Sequence, residues 1–109
     1  MVPTKMSGTT RWIEFNPEAS KAFDVVDAIV SDERIAFDAK DGQYQYVVKL
    51  APAPGEPVRW TGDWVGKLPT DGGGLVDVRR YDSKEGGVAL VGVWKDGENV
   101  VDWITELRP

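Results

Sequence analysis

The chain has 109 residues, 18 of them acidic and 13 basic, for a net charge of −5, and it contains neither cysteine nor histidine. One domain fits that length, and the composition excludes disulfides, thiolate or imidazole metal sites and histidine-based catalysis. Both charge signs are spread along the chain, so there is no basic footprint for nucleic acid. No run approaches the roughly 20 apolar residues of a membrane helix, and the expected location is the cytoplasm, without metal or cofactor.

In chain order, Met1 to Thr10 has one lysine and no apolar run. It is expected to be a mobile segment rather than a signal peptide or an anchor, leaving 11–109 as a single β domain. From there, short runs rich in Val, Ile, Phe, Tyr and Trp alternate with Asp, Gly, Pro and Ser clusters, the pattern of an all-β fold. Strands are predicted at 11–15, 23–31, 34–40, 43–50, 57–67, 74–81, 88–95 and 98–107. Between the first two, Asn16 as N-cap with Pro17 and Glu18 behind it predicts one short helix near 17–22.

Asp41-Gly42, lying between apolar runs, predicts a two-residue turn. It sets Ala39 opposite Tyr44, Phe37 opposite Tyr46 and Ile35 opposite Val48, which gathers an apolar and aromatic face. The next strand puts Trp60, Gly62 and Trp64 on its buried side. Gly62 is then either the point where the strand bends or a gap between two indoles that a flat ligand would fill. The run Asp71 to Gly74 lacks the lysine, hydroxyl and following helix of a phosphate loop, and reads as a mobile connection able to lie over the tryptophans as a lid.

The strand "LVDVRRY" has two registers. In one, Val76, Val78 and Arg80 face inward and Arg80 closes a pocket as an anion ligand; in the other, Asp77 and Arg79 form an inward ion pair. Asp96-Gly97 predicts the last hairpin, with Lys95 opposite Glu98 and Leu90 opposite Trp103, so that Trp94 and Trp103 share a face. The reverse face carries Val91, Val93, Val100 and Ile104 and calls for a cover: a short helix, a second sheet or another subunit.

Eight short strands predict a small antiparallel meander closed into an up-and-down barrel or a strongly bent sheet, with a two-sheet sandwich as the alternative. Calycin-type barrels, lipocalins and avidins among them, share that layout and carry Gly-x-Trp pairs in their strands. Gly62-Asp63-Trp64 and Gly92-Val93-Trp94 are similar over six residues, and what this resemblance implies is a fold, not a function.

No serine has a histidine to activate it, Asp38 and Asp41-Gly42 lack the alternate oxygen ligands of a calcium loop, and the acids do not converge, so no enzyme is expected. The expected function is a binding module that holds an apolar or aromatic small ligand in a barrel mouth or groove. Its lining would be Trp60, Gly62, Trp64, Trp94, Trp103, Tyr44 and Tyr46, with Arg80. The alternative is an interaction subunit, a homodimer or a partner-bound chain, using the face around Val91, Val93, Val100 and Ile104.

Overall fold

The computed structural model describes residues 4–13, 21–41, 44–67 and 72–109. They form eight antiparallel strands: β1 (Thr4–Ile13), β2 (Lys21–Val30), β3 (Ile35–Asp41), β4 (Tyr44–Pro52), β5 (Arg59–Lys67), β6 (Gly73–Asp82), β7 (Val88–Asp96) and β8 (Asn99–Arg108). Each strand pairs with the next in sequence, and β8 pairs back onto β1, closing a barrel. Closure removes every sheet edge and decides between barrel and sandwich.

Three expectations are corrected. The first strand spans Thr4–Ile13 instead of 11–15, so most of the segment expected to be mobile is paired on both sides. Its inward positions are Met6, Gly8 and Thr10, and with a glycine and a threonine among the three they print no apolar alternation in the sequence. Of the helix expected near 17–22, residues 17–20 lie outside the described residues, while Lys21 and Ala22 open β2. Among the described residues there is no helix, hence none long and apolar enough to cross a membrane.

The third correction is the hairpin register. Lys95 pairs with Val100 and Asp96 with Asn99, two residues from the expected ladder, so that the turn is Gly97-Glu98. Gly97 has φ +60° and Glu98 is not left-handed, which fits glycine as the first central residue of a type II′ turn rather than the second of a type I′ turn. The β3–β4 ladder is shifted in the same way, with Asp41 opposite Tyr44 and Phe37 opposite Val48. A shift of two preserves the side-chain alternation, so the expected faces survive although the partners change.

The ladders also set the width of the barrel. Following partners from Thr4 through Val30, Ile35, Leu50, Gly62, Val76, Trp94 and Val101 returns to β1 one step beyond the Ile13–Asp102 pair, a stagger of ten residues. With eight strands about 4.8 Å apart, that stagger tilts the strands by roughly 40° and leaves about 16 Å between opposite backbones. Inward side chains fill such a space. Among the described residues, nineteen buried apolar side chains do so, including Phe23, Phe37, Trp60, Trp64, Trp94 and Trp103.

A bulge in β2 keeps the alternation in phase with the core. Met6 faces Ala28 and Gly8 faces Val25, so Val26 and Asp27 together oppose Ser7, and Asp27 takes up the irregularity at φ +58°. Val25 and Ala28 are thereby both buried while Val26 stays exposed. Charged residues face outward on all eight strands, for example Lys5, Asp24, Lys40, Lys49, Asp63, Arg79, Lys95 and Glu106. An apolar interior under a charged exterior is the reverse of a lipid-facing barrel.

Candidate functional site

Inward residues of a strand repeat every second position, so Trp60 and Trp64 point into the same barrel from places about 13 Å apart. They therefore lie near opposite ends. Trp64 belongs to the end where β3–β4, β5–β6 and β7–β8 turn, and Trp60 to the end that holds the β2–β3 connection and the chain's carboxyl terminus. Gly62 between them leaves no vacancy. A Cβ built on it would lie 1.8 Å from the Lys49 carbonyl oxygen and 2.9 Å from Leu50 Cα, so the β4 backbone occupies the space a side chain would take. Gly62 marks a bend.

The Trp60 end is closed. In β6, Val76 and Val78 are buried, which settles the register in favour of Arg80 pointing inward. Its guanidinium lies 4.9 Å from the Trp60 ring centroid and donates to the Ser31 carbonyl at 2.7 Å and to Asp82 Oδ1 at 2.9 Å. Of the five N–H donors of a guanidinium, these two are committed to the protein. Arg80 is a plug across the barrel base rather than part of an anion pocket with the other tryptophans.

Asp77 and Arg79 do not form an inward pair. Asp77 is on the outer face, where it accepts two hydrogen bonds from Arg59, from Nε at 3.0 Å and from Nη2 at 2.8 Å, while Glu56 accepts a third from Arg59. The Arg59 hydrogen bonds hold the Asp77 carboxyl below its ordinary range, and the same contacts raise the guanidinium further. Among the described residues no group of acids is placed to hold a metal ion.

The other end carries a continuous aromatic cluster. Trp64 and Trp94 stack at 4.5 Å with 28° between their planes, and Tyr46 meets them nearly edge-on, at 5.4 Å and 72° to Trp64 and at 5.6 Å and 88° to Trp94. Phe23 adjoins Tyr46 at 5.3 Å, and Trp103, stacked on Phe37, continues from Trp94 into the interior. Trp64 crosses over β6 so that its indole N–H donates to the Lys95 carbonyl at 2.8 Å. The crossing requires Gly74, whose Cβ would strike both Lys95 O and Trp64 Nε1. The glycine run is therefore partly strand, with Gly73 and Gly74 opening β6. Residues 68–71, including Asp71 of the expected lid, lie outside the described residues.

Of the eight expected site residues, the structure brings Tyr46, Trp64 and Trp94 together around a cleft of about 390 Å³, with Trp103 behind them. Trp60, Gly62 and Arg80 belong elsewhere, and the Tyr44 side chain lies outside the described ones. The cleft also takes in Asp96, Asn99, Val100 and Val101, three of which the sequence reading had not connected with a site. Once the turn is placed at Gly97-Glu98, Asp96 and Asn99 become the pair that closes β7 against β8. Their polar groups flank the tryptophans for that reason.

Deeper in the barrel, the Thr10 and Thr105 hydroxyls, both fully buried, share a 2.6 Å hydrogen bond across the β1–β8 seam. Trp103 Nε1, also buried, has no hydrogen-bond partner among the described residues. On the outside, Val91 and Val100 remain exposed and Val93 and Ile104 half-exposed, so the face expected to need a cover has none among the described residues.

Comparison with protein-family models, with curated proteins and with solved structures gives no match to this chain. The likeness to calycin-type barrels stays one of layout.

Proposed function

We propose that the protein is a cytoplasmic binding module that takes a small, largely apolar or aromatic ligand at the Trp64 end of the barrel. The reading rests on one observation: half-exposed Tyr46 stands at the open side of the stacked Trp64–Trp94 pair and lines a cleft large enough for a small molecule. The packed interior below and the Arg80 plug at the far end favour a shallow seat at the mouth over a ligand held inside.

Native mass spectrometry of the purified chain, with tryptophan fluorescence against a ligand library, tests this. The expected result is a retained or added small mass together with a fluorescence change that Tyr46→Ala abolishes. No bound mass and unmoved fluorescence across the library would sink the reading.

The second reading is an interaction subunit, supported by the exposure of Val91 (41 %) and Val100 (59 %) on one outer face. The same spectra report oligomeric state. A strictly monomeric chain at all concentrations, with Val93→Asp folded and unaltered, would rule out self-association through that face.

A further inference from the structure

We propose, on the reading that the outer face around Val91, Val93 and Ile104 is an interaction surface, that its partner is a second copy of this chain. The two copies pack antiparallel, so that a row of arginines on one lies over a row of aspartates on the other.

The rows follow from the ladders. On the outer surface Arg59, Arg79, Val91, Ile104 and Arg11 are successive cross-strand partners from β5 through β8 to β1. Two residues along each strand, Thr61, Asp77, Val93 and Asp102 make the next outward row, about 7 Å away. The first row is basic and the second acidic, and both are apolar in the middle. Elsewhere opposite charges share a row, as Asp24 does with Lys40 and Lys49 with Asp63.

Segregated rows leave charge unmatched within one chain. Arg59 and Arg79 stand directly opposite, an unfavourable like-charge pair. Arg59 is neutralised by Asp77 and Glu56, whereas exposed Arg79, Arg11 and Asp102 enter no ion pair among the described residues.

One symmetry operation supplies the missing partners. A two-fold axis in the contact plane, crossing the strands midway between the rows, reverses the strands and exchanges the rows. Strand β6 then lies over its copy with Arg79 facing Asp77, β7 lies over its copy with Val91 facing Val93, and Arg11 comes one strand from Asp102. Each contact occurs twice. An axis along the strands would instead lay the basic row over the basic row. The curvature of the barrel confines the contact to about three strands, less than the roughly 800 Å² per partner of a standard interface, so the dimer is weak, with Kd on the order of 10 μM.

Sedimentation velocity of the full chain from about 1 to 300 μM, a range that brackets that Kd, reads the dimer. Arg79→Asp and Asp77→Arg each set like charges against one another at both symmetry-related contacts, and each is expected to weaken the dimer at least about a hundredfold. Mixed one to one, the two variants restore opposite charges at both contacts, and a heterodimer is expected. Circular dichroism checks each fold, and Arg11→Asp with Asp102→Arg repeats the exchange if loss of the Arg59–Asp77 bridge unfolds Asp77→Arg. A dimer broken by Val93→Asp but indifferent to the charge variants, or folded variants that do not heterodimerise, overturns the antiparallel pairing and leaves the interaction-surface reading standing. A parent chain monomeric over the whole range overturns the proposal, and self-association through that face falls with it.

Discussion

Gly62→Ala is the substitution on which the geometry makes its firmest demand. The φ of Gly62 is not left-handed, so alanine carries no intrinsic backbone penalty there, and the cost is steric. The new Cβ would lie 1.8 Å from the Lys49 carbonyl oxygen and 2.8 Å from the Lys49 carbonyl carbon. Both atoms are backbone, and Leu50, the next residue, is the cross-strand partner of Gly62 in the β4–β5 ladder. Relief requires the two strands to part by about 1.2 Å or more, which breaks ladder hydrogen bonds in a closed sheet with no free edge to yield. A loss of about 3 kcal/mol follows, at the top of the usual range for overpacking. For a domain of this size that lowers the thermal midpoint by roughly 12 °C or more. The assay is urea unfolding followed by tryptophan fluorescence, reading the midpoint at unchanged slope. Gly55→Ala is the comparison: its φ is +77° with nothing within 4 Å of the added Cβ, so it costs only the left-handed strain, about 1 kcal/mol. A Gly62→Ala protein as stable as the parent, or more stable than Gly55→Ala, would refute the close approach and restore the vacancy between the indoles.

Three other outcomes are expected. Thr10→Val or Thr105→Val alone strands a hydroxyl in the core and costs about 1–3 kcal/mol, whereas the double variant recovers most of that loss; a double-mutant cycle in urea checks the coupling. Arg80→Met removes the hydrogen bond to the Ser31 carbonyl and the cation over Trp60, and is expected to lower stability by about 2 kcal/mol and alter Trp60 emission. Asp77, held below its ordinary pKa by Arg59, contributes stability that is complete above the unfolded carboxylate range near 4 and declines as pH falls through its folded value. Unfolding midpoints measured between pH 7 and pH 2 should show an acid limb that is shallower in Asp77→Asn, with no difference in slope between pH 5 and pH 7.

The all-β class, seven of the eight strands and the inward aromatics were legible because apolar alternation is written locally, in runs such as Ile35 to Asp41 and Val88 to Asp96. The β1 strand was not legible. Its inward Met6, Gly8 and Thr10 make sense only against Leu107 and Thr105 across the seam, nearly a hundred residues away. The hairpin partners were missed by two because Asp-Gly supports more than one turn, and only the ladder shows Gly97 in the first central position. The site was legible in part: Tyr46, Trp64 and Trp94 meet, but Trp60 and Arg80 close the opposite end.

What the sequence determined by itself is which side chains share a face, since side-chain direction depends only on parity along a strand and survives a register slip of two. What the tertiary structure decided is how far along the barrel each of those residues lies and which backbone comes near it. Both depend on the ten-residue stagger and on the bulge at Asp27, which arise from closing eight strands on one another. Trp60 and Trp64 share a face by sequence, but barrel closure separates them into a plug and a mouth.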